Sequence, residues 1–146
     1  TLLVMICLAA PAVSSFRLYA HSAAEEMAQS ANNYLAALTP EQKSKATFEV
    51  QNEARQNWYF IPKVRNGLTI KDMTPVQRPL AFALLSSGLS HQALLKAETI
   101  MSLEEVLRVM EGPAGRMVRD PELYYVSVFG KPGTNTTWGW RDYRIT

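Results

Sequence analysis

The punctuation between Thr74 and Gly112 constrains this chain most, because it fixes where helices start and stop. Thr74-Pro75-Val76-Gln77 places a threonine N-cap, a proline at the first helical position and a glutamine three residues after the cap. Those groups occupy or remove the N–H donors that a first helical turn leaves open. Gly88 is the matching stop, since a helix commonly ends on a left-handed residue that glycine adopts without steric cost. Ser102-Leu103-Glu104-Glu105 reads as another capping box, opening the run Leu103, Val106, Leu107 and Met110. Its i, i+3, i+4, i+7 spacing is one helical face, expected to be core, with Glu104, Glu105, Arg108 and Glu111 toward water. Gly112-Pro113 closes the block, which reads as two or three amphipathic helices meeting at Ser87-Gly88-Leu89-Ser90.

Upstream, Leu2 to Val13 is an apolar run without a charge. It is shorter than the roughly 20 residues a membrane-spanning helix needs but suits the hydrophobic region of a signal peptide. The expectation is a signal peptide over 1–20 that lacks its charged leader, cleaved after Ala12 within Ala10-Pro11-Ala12 or, second, after Ala20. The chain opens at Thr1 inside the apolar run and closes at Arg144-Ile145-Thr146 inside a strand-like pattern. Residues 21–146 are therefore expected to be the N-terminal portion of a larger, truncated domain. Cys7, the single cysteine, lies inside the leader, leaving a mature protein without disulfides or thiolate ligands. Export implies an extracytoplasmic location, periplasmic or secreted, with no stable membrane insertion after the leader is removed.

From Ala23 to Leu38, Ala24, Met27, Ala28, Ala31, Leu35 and Leu38 share a helical face. Thr39-Pro40-Glu41-Gln42 repeats the start chemistry of Thr74; the residues after the two boxes share no pattern, so they read as two helix starts rather than a repeat array. Ala46 to Val50 is short and β-like, and Trp58-Tyr59-Phe60-Ile61-Pro62 reads as a brief strand. Asn66-Gly67 signals a turn leading through Leu68-Thr69-Ile70 into the helical block. Pro79, as the fifth residue of its helix, removes the bond to the carbonyl of Pro75 and should fray or kink that first turn. Leu123 to Phe129 and Trp138 to Ile145 read as two strands, joined by a loop carrying the Asn135-Thr136-Thr137 sequon. The expected fold is α+β. Amphipathic helices near 23–38, 40–46, 75–87 and 91–111 pack with a small antiparallel β segment, 123–129 on 138–145, at the C-terminal end.

Chemistry is sparse. A net charge of +2 with scattered basic residues argues against nucleic acid. Lys63-Val64-Arg65 is the densest basic neighbourhood, and it reads as a solvated loop ahead of a phosphate site. His21 and His91, the only histidines, lie far apart without carboxylates at ligand spacing, so neither a metal nor a cofactor is expected. Ser86-Ser87-Gly88 is no nucleophile elbow, and neighbouring Glu104 and Glu105 diverge by roughly 100° on a helix. Glu98 reads as a salt-bridged helix residue before a catalytic acid. The remaining candidates are aromatic residues and arginines: Trp58, Arg119, Tyr124, Trp138, Trp140 and Arg141. Trp138 and Trp140 flank Gly139, so both indoles belong to one strand face. That face is either sheet core, the favoured reading, or a platform for a sugar or another flat ligand, with Trp138 the more buried of the two.

Four stretches together resemble a known family. They are Asn57-Trp58-Tyr59-Phe60-Ile61-Pro62, then Leu68 through Arg78, then Ile100-Met101-Ser102-Leu103-Glu104-Glu105-Val106-Leu107, and last Arg119-Asp120-Pro121-Glu122-Leu123-Tyr124-Tyr125 with Trp138-Gly139-Trp140-Arg141. Their order and spacing are similar to the bacterial domain of unknown function family 3500, over roughly Ala23 to Arg141 and thus to its N-terminal part. The resemblance implies an exported protein, considerably longer than this chain, and assigns no catalytic residue. In that family the tryptophan-glycine-tryptophan-arginine segment continues into a glutamate-glycine-histidine-histidine motif, where this chain has Asp142-Tyr143-Arg144-Ile145-Thr146. Two function classes follow: an exported enzyme, a hydrolase whose site needs a further C-terminal part, or an extracytoplasmic ligand-binding or interaction protein using the aromatic and arginine surface. Neither substrate, partner nor oligomeric state is written in these residues.

Overall fold

Capping chemistry sets the helix boundaries. In the computed structural model, which describes residues 22–57 and 64–144, Ser22 caps α1 (Ala23–Ala36) in a capping box with Glu25. Thr39 caps α2 (Pro40–Ala46) in the same way with Gln42. The N-terminal segment expected to be a signal peptide, His21 and the aromatic run from Trp58 to Pro62 lie outside the described residues. α1 stops two residues short of Leu38, and its buried side adds Tyr34, fully shielded from solvent, to Ala28, Ala31 and Leu35.

The two proline boxes meet in space. Gln42 and Gln77, which close them, exchange side-chain hydrogen bonds of 3.0 and 2.7 Å, and Gln77 Nε2 also donates to the Ala37 carbonyl at 2.8 Å. The shared motif therefore joins two helix starts back to back. α3 (Gln77–Gly88) begins two residues later than expected. Thr74–Val76 is a turn closed by bonds from the Gln77 and Arg78 amides to the Thr74 carbonyl, at 3.0 and 3.1 Å. Pro79 accounts for this, because it cannot donate to the carbonyl of Pro75.

α4 (His91–Glu111) is one continuous helix capped by Ser90, whose hydroxyl accepts from the Ala93 amide at 3.2 Å. Ser102 starts nothing; its hydroxyl donates to the Thr99 carbonyl at 2.7 Å in mid-helix. The orientation of α4 also corrects the sequence expectation. Met101 and Glu104 face inward, Glu104 only 1% exposed, whereas Leu103, Val106 and Met110 are 47, 50 and 76% exposed. The spacing identified a stripe, but the opposite side of the helix meets the protein body.

The sheet is built on β3 (Tyr124–Gly130). β4 (Trp138–Arg144) pairs antiparallel along its whole length, from Gly130 opposite Trp138 to Tyr124 opposite Arg144. β2 (Leu68–Thr69) pairs antiparallel with Val126 and Tyr125, and β1 (Thr47–Phe48) runs parallel beside Val128 and Phe129. The two short strands make the sheet mixed and larger than the expected hairpin. Because β3 has neighbours on both edges and packing on both faces, Tyr124 through Phe129 are all buried.

α1 and α3 lie on one face of this sheet. Ala31, Tyr34 and Leu35 from α1, Ala81 and Leu84 from α3, and Val126 and Val128 from β3 form the main core. Burial of such side chains contributes about 1.5–3 kcal/mol each and holds the layers together. A second cluster of Ile70, Met101 and Tyr124, with Phe82 against it, attaches α4.

Candidate functional site

Strand alternation divides the sequence-derived candidates. Tyr124, Trp138 and Trp140 belong to the sheet face beneath the helices, while Arg141, opposite Ser127, belongs to the other face. Arg119 stands apart on the inner side of α4, and Trp58 lies outside the described residues. The six therefore do not form one constellation.

On the helix side both indoles are half-buried and pack against the main core. Trp138 Nε1 donates to the Gly133 carbonyl at 3.0 Å, which ties the ring to its own hairpin loop. Trp140 lies against the end of α3. A Cβ on Gly88 would approach its Cζ2 to 2.5 Å, so glycine is what lets the helix end and the ring come together. Beside Trp140, Ile70, Phe82, Leu85 and Asp142 line a narrow crevice. Burial, reinforced by the negative charge of Asp142, pushes the Tyr124 phenol up to about 12. The same two causes raise Tyr34 beyond the usual phenol range. Both phenols stay neutral at ordinary pH.

Arg119 is committed to carboxylates. Its Nε and Nη2 bond the two Glu111 oxygens at 3.0 and 2.6 Å, and Nη1 stands 3.7 Å from Glu104. The hydrogen bonds from Arg119 hold the Glu111 carboxyl below its ordinary range. This fork clamps the segment after α4 back onto the helix.

The far face of the sheet brings together residues the sequence kept apart. Asn52 caps a single turn at Glu53–Arg55, accepting from the Ala54 amide at 2.9 Å. The Arg55 carbonyl at the end of that turn accepts from Arg141 Nη1 at 3.0 Å. Arg141 also lies over the Phe129 ring, 5.7 Å from its centroid, and Phe129 in turn stacks on Phe48 at 5.4 Å. Gly67, at φ 132°, turns the chain tightly against β3, and Ser127 Oγ donates to the Asn66 carbonyl at 2.8 Å. The result is a small polar recess lined by Ala54, Asn57, Val64, Arg65, Asn66 and Arg141.

Arg65 is the residue the sequence reading misplaced. Its neighbour Val64 is 82% exposed, as a solvated loop demands, but Arg65 itself is only 8% exposed. The Asn66-Gly67 turn beside Arg65 was the available signal, because a turn that presses the backbone against a strand also presses its flanking side chains inward. Two guanidiniums and two carboxamides lining one recess supply donors in the planar geometry that suits carboxylates and phosphates.

Among the described residues no group of three His, Cys, Asp or Glu side chains could hold a metal ion, and no helix is long and apolar enough to cross a membrane. Neither a curated protein nor a solved structure matches the chain. The family model described as Protein of unknown function (DUF3500) matches residues 20–143, nearly the whole chain. By that match the chain belongs to the DUF3500 family.

Proposed function

We propose that this chain is the ligand-binding part of an extracytoplasmic protein, and that it takes a small anionic group in the recess of Arg65 and Arg141. One observation carries the reading: both arginines, from distant parts of the chain, line the same recess with Asn57 and Asn66. Sites that recognise small molecules combine a shaped apolar surround with a few convergent polar groups. Here Ala54 and Val64 give the apolar surround and the arginines give the charge. Arg141 is held by the Arg55 carbonyl and the Phe129 ring, so it is oriented before any ligand arrives, which lowers the ordering cost of binding. Export rests on the apolar run from Leu2 to Val13, which reads as the hydrophobic part of a signal peptide.

Thermal unfolding in the presence of phosphate, acetate, succinate or citrate tests the binding site. A ligand at 100 times its Kd stabilises by about 2.7 kcal/mol, a shift easily resolved. At least one of these anions should raise the melting temperature of the wild type, and Arg141→Gln should abolish that shift while keeping the circular dichroism spectrum. A shift that survives in Arg141→Gln, or no shift with any of the four, would refute the assignment.

A further inference from the structure

We propose that the open cleft between α1, β1 and the start of the β3–β4 loop is a second binding site, and that it takes a short acidic oligosaccharide, a chain of uronic acid sugars. The cleft has a volume of about 880 Å³, against about 80 Å³ for the arginine recess, and lies within the range of small-molecule sites. The two pockets share no lining residue.

The walls of the cleft come from distant parts of the chain and are held by their own bonds. Asn32 on α1 donates through Nδ2 to the Pro132 carbonyl in a long hydrogen bond of 3.4 Å, which ties the helix to the loop. Thr136 Oγ1 donates to the Lys131 carbonyl at 2.7 Å, and Thr47 Oγ1 donates to the Lys43 carbonyl at 2.8 Å. Gly130, at φ 80°, turns the chain out of β3, where a Cβ would come within 2.4 Å of Val50 and 2.6 Å of the Thr137 carbonyl oxygen. A cleft shaped before its ligand arrives loses less interaction energy to ordering.

Three charged residues line it: Lys43 near the end of α2, Lys131 in the loop and Glu49 just after β1. Among the described residues none of the three is in an ion pair, whereas Lys71, Arg78, Arg108 and Arg119 are each matched to a carboxylate. Two ammonium groups against one carboxylate favour an anionic ligand. An ammonium carries three donors on a flexible stem and serves hydroxyls and carboxylates alike, unlike the planar fork of arginine. Glu49 and the Asn32 carboxamide oxygen add acceptors, and Asn52, whose Oδ1 accepts from the Ala54 amide, keeps its Nδ2 as a donor. A hydroxyl both donates and accepts, so a ligand dense in hydroxyls matches this mixture. Leu35, Pro132 and Phe48, the last stacked on Phe129 with ring centroids 5.4 Å apart, supply apolar surface for the C–H faces of a pyranose ring. An acidic peptide fits less well, because an added strand needs a long edge to pair with and β1 has two residues.

Isothermal titration of the full chain with the trisaccharides of galacturonic, glucuronic and mannuronic acid tests the assignment. At least one should bind with a Kd below about 1 mM. Lys43→Gln and Lys131→Gln should each weaken binding about threefold and together about tenfold, the scale of two exposed charge contacts that add. Both lysines are exposed, so the variants should keep the circular dichroism spectrum of the wild type. The methyl ester of the same trisaccharide, which keeps the rings and hydroxyls but not the charge, should lose about as much affinity as the double substitution costs. Absence of binding by all three acids would overturn the proposal, and so would an ester that binds as well as its acid. Binding unchanged in the double variant would overturn it too, since the ligand then sits elsewhere, the arginine recess included. Triglutamate bound as tightly as the best trisaccharide would overturn it in favour of an acidic peptide.

Discussion

Leu84→Ala offers the sharpest test of the layered core. Leu84 is fully buried on α3 and belongs to the cluster that joins α1, α3 and the sheet. The substitution removes three carbons, worth about 2.4 kcal/mol at about 0.8 kcal/mol per buried methylene. If about 40 Å³ of the vacated space stays unfilled, the cavity adds about 1 kcal/mol at about 24 cal/mol per Å³. The crevice beside Trp140 borders Leu84, so its walls can close partly, which keeps the total near 3–3.5 kcal/mol rather than at the upper end seen for buried leucines. Urea unfolding followed by tryptophan fluorescence measures it. With a slope of about 2 kcal/mol per M, the midpoint should fall by about 1.5 M at unchanged slope. A loss below about 1 kcal/mol would refute the placement of α3 on the sheet, because only a side chain near the surface is removed so cheaply.

Leu103→Ala, by contrast, should change stability by less than about 0.5 kcal/mol in urea unfolding, because its face of α4 meets solvent. Gly67→Ala should cost at least about 2 kcal/mol by thermal unfolding. It forces an alanine to φ 132° and brings its Cβ to 2.6 Å from Ser127 Oγ and 2.9 Å from the Val126 carbonyl oxygen. Tyr124 has its pKa raised from 10.0 to about 12 in the fold, so its contribution is fully present below pH 10 and is lost as pH climbs toward 12. Absorbance at alkaline pH should show this phenol ionising late, and Tyr124→Phe should remove that step; ionisation of Tyr124 near pH 10 in the folded protein would refute its burial beside Asp142.

Local chemistry made the helices legible. A threonine or serine followed three residues later by a side chain that reaches back is read without knowing the rest of the fold, and Thr39 with Gln42 and Thr74 with Gln77 both bond in that way. Ser102 has the same spacing yet caps nothing, since the turn before it is already helical and its hydroxyl finds the Thr99 carbonyl instead. The β3–β4 hairpin was legible from its aromatic and β-branched run. β1 falls inside the Ala46–Val50 stretch that reads as β-like, whereas β2 and the pairing of both were not legible, because two-residue strands carry almost no periodicity and their pairing is decided by β3, far along the chain.

Periodicity also explains the error on α4. It shows that Leu103, Val106 and Met110 share a face, but an apolar face reads the same whether it meets the core or solvent. The site was legible in part. Alternation alone separates Arg141 from Trp138 and Trp140, so the three do not share one surface. The meeting of Arg141 with Arg65 depends on how the segment before β2 folds across the sheet, which no local pattern encodes.

The place of β3 in the sheet has a kinetic consequence. β1, β2 and β4 all pair with it, and it begins only at Tyr124, so a ribosome must deliver most of the chain before this sheet exists. α1, α2 and α3 can form as they emerge, while Thr47-Phe48 and Leu68-Thr69 must wait. The β3–β4 hairpin closes a short loop, whereas joining Thr47 to Val128 closes one of about 80 residues, a difference of about 2 kcal/mol in chain entropy. The expected order is therefore helices, then the terminal hairpin, then capture of the two waiting strands by an already formed template. Refolding should be slow for a chain of this length, with its barrier sensitive to changes in β3 and indifferent to changes in β1.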